Sequence, residues 1–160
     1  MGRSPFRRTK RRPQSGQSLA EFAIIFPVLF LIIAGIVQFG IIFWGQNSLN
    51  QVVRDTGRWA ASQQTQCTTP PEQASAAADV IDTANDVANA SSLIGYTSAD
   101  PWDTADVTVT FTGPCPPSDN TDTAWVNITI RHSVPIFFPL VPGNGLISSS
   151  TQFRMEPTPP

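Results

Sequence analysis

The chain has 160 residues and a formal net charge of -2, room for one membrane segment and one small exterior domain but not for two independent soluble domains. The charge is unevenly placed: Arg3, Arg7, Arg8, Lys10, Arg11 and Arg12 precede Gly16, while all twelve acids follow it and meet only four basic residues there. No lysine follows Lys10, which argues against the clustered cations that neutralise phosphates and so against nucleic-acid binding.

Residues 1–16 read as a basic leader, a topology signal that keeps the N-terminus inside and places the chain beyond about residue 46 on the outer side. The segment Phe22 to Trp44 contains only apolar residues plus Pro27, Gly35, Gln38 and Gly40. As a helix it measures about 34 Å, enough to cross a bilayer. Its large apolar side chains favour insertion by roughly 5 to 9 kcal/mol, and a carboxylate at its edge, Glu21, costs at most about 3. The run is longer than the apolar core of a cleavable secretory signal, so it reads as retained. Arg7-Arg8 and Arg11-Arg12 also fit a twin-arginine export signal, a weaker reading because the following run has an anchor's length.

From Gln46 the pattern turns amphipathic, with Leu49, Val52, Val53, Trp59 and Ala60 at helical spacing. Residues 17–64 are therefore expected to form one transmembrane helix extended outward, with Gly57 a weak point and Thr68-Thr69-Pro70-Pro71 the stop. Residues 65–160 then form a small exported domain. A second helix is expected from Glu72 to about Leu93, with Ala76, Val80, Ile81, Ala84, Val87 and Ala88 on one stripe and Asp79, Asp82 and Asp86 off it. The three aspartates lack an EF-hand's glycine turn and terminal glutamate, and read as a solvated face.

The period then changes from helix to strand. Val107, Val109 and Phe111 alternate with threonines, and Val126, Ile128 and Ile130 alternate with polar residues, so two strands are expected, with Ser148 to Met155 a candidate third. Gly113 to Asn120 is a loop. The Ile136-Phe137-Phe138 cluster is unusually apolar for a connection and is expected to pack on the core, with lying on the membrane or meeting a partner as the alternatives. The fold class is α+β. Cys67 and Cys115 both fall in the exported part, where oxidation is permitted, and are expected to form a disulfide. A metal centre needs more Cys or His at short spacing than the lone His132 supplies, and no cofactor is expected.

Gly16 followed five positions later by Glu21, between a basic leader and an apolar run, resembles the processing site of type IV prepilins and pseudopilins. Within that superfamily, the words Gly16-Gln17-Ser18-Leu19-Ala20-Glu21-Phe22-Ala23, Pro27, Gly35 and Arg58-Trp59-Ala60-Ala61 resemble TadE-like proteins, minor pilin-like components of tight-adherence (Flp) pilus systems. The C-terminal Arg154-Met155-Glu156 also looks like that family's tail. The resemblance implies a prepilin peptidase cutting between Gly16 and Gln17, N-methylation of the new first residue, and assembly through the segment from Glu21 to Pro27. Glu21 becomes the fifth residue of the mature chain, where a neighbouring subunit's α-amino group offers it a partner. Its alternative role is a plain acid at headgroup level near a helix N-terminus.

Two departures stand out. Gln17 replaces the bulky apolar residue common after the cut in major pilins, and Pro27 removes a hydrogen bond to the Ala23 carbonyl and is expected to kink or loosen the helix. Gln38 is expected to make an interhelical polar contact, whereas Gly35, Gly40 and Gly45, five residues apart, do not share one face. The resulting expectation is a single-pass bacterial membrane protein, a pilus assembly subunit whose partners are the membrane, the peptidase, other pilin-like subunits and assembly proteins. The alternative is a membrane-tethered adhesion or binding module, with Phe137 and Phe138 its candidate contacts. An enzyme is not expected: His132 stands alone, with no nucleophile elbow.

Overall fold

The computed structural model describes residues 15–63, 67–117, 123–138 and 144–157. Residues 1–14 of the basic leader, the expected helix end at Gln64, residues 118–120 of the expected loop and residues 158–160 lie outside the described residues, and the helix expected from residue 17 begins at Ser15. The element order is α1 (Ser15–Ser62), α2 (Pro70–Ala90), β1 (Val107–Thr112), β2 (Trp125–Ser133) and β3 (Leu146–Arg154). The three strands form one antiparallel sheet in the order β1-β2-β3. This is the α+β arrangement expected.

Period-two patterning decides the sheet's faces. Val107, Val109 and Phe111 of β1 stand opposite Ile130, Ile128 and Val126 of β2, and these in turn face Ser149, Thr151 and Phe153 of β3. That face carries the buried Val126, Ile128 and Ile130 and is covered by the helices; Thr108, Thr110, Ser148, Ser150 and Gln152 are exposed on the other. α2 contributes Ala76, Val80, Ile81, Ala84 and Ala88 to the core, the stripe expected from its sequence, while Asp79, Asp82 and Asp86 are exposed. α1 lies along β3 and β2 and also contacts α2. Its Leu49, Val52, Val53, Ala60 and Ala61 are core residues, so the core draws on both sides of the 64/65 boundary.

The close approach of α1 to β3 has a local cause. Ser149 and Thr151 are small, and at Gly57 an added Cβ would stand 2.5 Å from Cδ2 of Phe153. The glycine interrupts nothing; it leaves room for that ring. Polar bonds run along the same seam: Ser149 Oγ donates to Asn50 Oδ1 at 2.6 Å, and Gln46 Nε2 donates to the Ser148 carbonyl at 3.1 Å.

The expected limits of α2 shift at both ends. Pro70 and Pro71 begin the helix, because a first-turn residue has no use for the missing amide donor. Glu72 completes this start by accepting hydrogen bonds from the Thr68 hydroxyl (2.8 Å), the Thr69 amide (2.9 Å) and the Thr68 amide (3.0 Å). These bonds hold its carboxyl below the ordinary 4.5, with the Thr68 hydroxyl the largest cause. At the other end, Ser92 turns left-handed with φ 50° while the Ser91 and Leu93 amides bond back to the Val87 and Ala88 carbonyls, which stops the helix at Ala90.

A disulfide joins Cys67 to Cys115, with Cα atoms 5.2 Å apart. It ties the connection before α2 to the loop after β1, and the Cys67 amide also donates to the Cys115 carbonyl. The chain end closes the same pole: the Met155 amide bonds the Ala124 carbonyl and the Glu156 amide bonds the Ala61 carbonyl near the end of α1.

Candidate functional site

The N-terminal half of α1 is exposed along nearly all its length, with Ala34 and Gln38 its buried residues. Among the described residues every exposed large apolar side chain except Phe137 and Leu146 belongs to α1, from Leu19 to Trp44. Soluble monomers rarely leave so continuous a run of large apolar side chains to water. α1 is long and apolar enough to cross a membrane by length and composition.

Gly16 and Gln17 sit in the first turn of α1, exposed, and nothing approaches the open side of Gly16 within 4 Å. One turn on, Glu21 is exposed and accepts a hydrogen bond from Gln17 Nε2 at 3.2 Å. The residue that departs from the major-pilin pattern thus touches the carboxylate through an i,i+4 contact. Pro27 lies inside α1, which stays helical on both sides of it, and the ring pairs Phe22–Phe26 and Phe26–Phe30 continue along one face past it at 5.4 and 6.3 Å between centroids.

Gln38 is different from its neighbours. It is fully buried, and its amide group is committed within the chain. Nε2 donates to the Pro135 carbonyl at 3.2 Å, while Oε1 accepts from the amides of Phe137 at 2.9 Å and Phe138 at 3.3 Å. The partner expected on another helix is here the connection after β2. Phe138 adds an edge-on contact with Phe30 at 6.2 Å, whereas Phe137 is 64% exposed. The apolar cluster Ile136-Phe137-Phe138 therefore lies against the apolar half of α1. Gly45 fixes the approach above it, since an added Cβ would lie 3.0 Å from Cγ1 of Val134, whereas an added Cβ at Gly35 or Gly40 would meet nothing within 4 Å.

His132 is spent on structure. It is buried at the end of β2, where Nδ1 accepts from Trp102 Nε1 at 3.3 Å and Nε2 lies 2.9 Å from the Ile94 carbonyl, which makes Nε2 the protonated nitrogen. Asn85 extends the network by accepting from the Trp102 amide and the Tyr96 hydroxyl and donating to the Trp102 carbonyl. Burial, with a smaller contribution from Asp86, raises the Tyr96 phenol above its ordinary range. These bonds pin the 93–106 connection to the sheet. An open, polar groove of about 600 Å³ runs between α1 and β3, bordered by Arg54, Asp55 and Arg58. Among the described residues no cluster of three or more His, Cys, Asp or Glu has the arrangement to hold a metal ion.

The predicted site residues do not converge on one pocket. Glu21 and Gln38 are about 26 Å apart along the helix axis. They are stations on a rod, one at its free end and one where the α/β unit meets it.

Residues 16–58 match the family described as TadE-like protein. The match takes in Gly16, Gln17, Glu21, Pro27, Gln38 and Arg58, and ends before α2, so it covers the rod and leaves the disulfide and the sheet outside. No curated protein and no solved structure matches the chain. The TadE-like segment coincides with the apolar helix and its packed extension, consistent with membrane anchoring. Sequence reasoning singled out the Ile136-Phe137-Phe138 cluster but missed that Gln38 holds it, and it missed the Asn85–Trp102–His132 network. A signal for the first was present: Gln38 is the one side-chain amide in the run from Phe22 to Trp44, and a nearly uncharged apolar loop occurs later in the chain.

Proposed function

We propose that this chain is a membrane-anchored TadE-like pilus assembly subunit, a minor pilin whose α1 crosses the membrane with the α/β unit on the outer side. The supporting observation is the asymmetry of α1: residues 45–61 help build the core, while apolar side chains between Leu19 and Trp44 remain exposed. In water that half is a liability. In a bilayer, or among other pilin-like helices, it is an anchor and an assembly surface.

Prepilin peptidase cuts between Gly16 and Gln17, and Glu21 then pairs with the new α-amino group of a neighbouring subunit. The exposed first turn, with no side chain at Gly16, suits entry into a cleft once the turn unwinds. Intact-mass measurement of the protein from cells carrying the peptidase should show residues 1–16 removed; retention of Met1 to Gly16 rejects processing. Glu21→Ala should abolish piliation while leaving the protein in the membrane fraction. Normal piliation by that variant rejects the assembly role of Glu21 and leaves the anchor intact.

A further inference from the structure

We propose that residues 134–138, the first part of the connection after β2, reach the acyl layer of the bilayer beside α1, carrying Ile136, Phe137 and Phe138 into the leaflet on the side of the α/β unit. The inference rests on the reading of α1 as a membrane-crossing helix and adds a second point of lipid contact.

Depth comes from the helix itself. At about 1.5 Å per residue, Gln38 lies about 9 Å below Trp44 along the axis and Phe30 about 21 Å below it. A hydrocarbon layer of about 30 Å counted upward from Ser18 or from Glu21 ends between Gln38 and Ile41. On either count the Phe138–Phe30 contact lies inside the layer. The loop cannot hold this position beside α1 without being at acyl depth.

Polarity is the second argument. Irregular backbone at membrane depth is tolerated only where protein satisfies its donors and acceptors. Gln38 does this for three groups at once, the Pro135 carbonyl and the amides of Phe137 and Phe138, and the loop in turn covers an amide that would otherwise face lipid. The Gln38 amide and these three backbone groups thus satisfy one another. What remains outward is Phe137, exposed and next in sequence to Phe138, whose ring meets Phe30 on the apolar face that also carries Phe22 and Phe26. The occupant that fits this surface is therefore the lipid that surrounds α1.

The test uses the full chain, disulfide intact, in phosphatidylcholine–phosphatidylglycerol vesicles, with a nitroxide on a cysteine introduced by Phe137→Cys. Collision with oxygen and with a water-soluble nickel chelate is compared with labels from Ile32→Cys on α1 and Thr110→Cys on the polar sheet face. The expected result is an oxygen-to-nickel ratio at 137 shifted toward the Ile32 value, and its partial return toward the Thr110 value in Gln38→Leu. Nickel-favoured exposure at 137 with oxygen-favoured exposure at 32 overturns the loop's insertion and spares the anchor. Protection of 137 from both reagents overturns it too, since protein rather than lipid then covers the loop. Aqueous labels at both 137 and 32 remove the anchor and the loop's insertion together.

Discussion

Two residues on α1 show how one polar atom is rewarded or penalised by what surrounds it. Gln38 has every part of its amide engaged, whereas Thr56, equally buried in the same helix, has a hydroxyl without a hydrogen-bond partner among the described residues. Thr56→Val keeps the branched shape and removes the orphan group, and is expected to stabilise by about 1 kcal/mol, read as a rise in Tm of about 2–4 °C. Glu72 makes a different demand, because its bonds require the ionised form. Its folded pKa is depressed, so its contribution is present above the ordinary 4.5 and is lost as pH falls through the lower folded value. Denaturant titrations of wild type and Glu72→Gln should differ at pH 7 and converge at strongly acidic pH. The capping role was missed in the sequence, where Pro70-Pro71 read as a stop: proline ends a helix and begins one equally well, and only Glu72 two residues on separates the cases. Gln38 was legible as an amide in need of a partner. That partner, 97 residues away, is a tertiary fact with no trace in local spacing.

At the scale of elements, alternation and helical stripes carried most of the fold. Val107-Val109-Phe111 and Val126-Ile128-Ile130 marked β1 and β2 because each strand has one buried face, and the α2 stripe marked its own core side. β3 was less legible, since Ser148-Ser149-Ser150-Thr151 is small and polar on both faces; the proximity of α1 is what makes serine and threonine suitable inside. The disulfide links elements 48 residues apart in sequence. In the chain-entropy model its removal costs about 4 kcal/mol. Cys67→Ser/Cys115→Ser should lose about that much in equilibrium unfolding, and reduction of the native chain should give a comparable loss; an unchanged Tm in both assays contradicts the staple.

For the whole molecule, the boundary that matters falls within α1. Residues 49–61 supply Leu49, Val52, Val53, Ala60 and Ala61 to the core, so a fragment beginning at Gly45 should be monodisperse and unfold cooperatively, whereas one beginning at residue 65 should lack cooperative unfolding. Scanning calorimetry of the two fragments checks this. The sequence drew the division at the end of the amphipathic pattern because periodicity marks where a helix stops and says nothing about which neighbour covers it. The family match stops near the same place, at residue 58, and so describes the rod better than the unit built around its far end.

The seam between α1 and β3 has a mechanical consequence. The bonds from Gln46 to Ser148 and from Ser149 to Asn50, with the Phe153 ring against Gly57, leave no swivel between the rod and the sheet. Tension drawn along α1 is delivered directly to β3, in shear across several contacts loaded together. Turning the rod about its axis turns the whole α/β unit with it, so the rotation of α1 sets the compass bearing of the sheet.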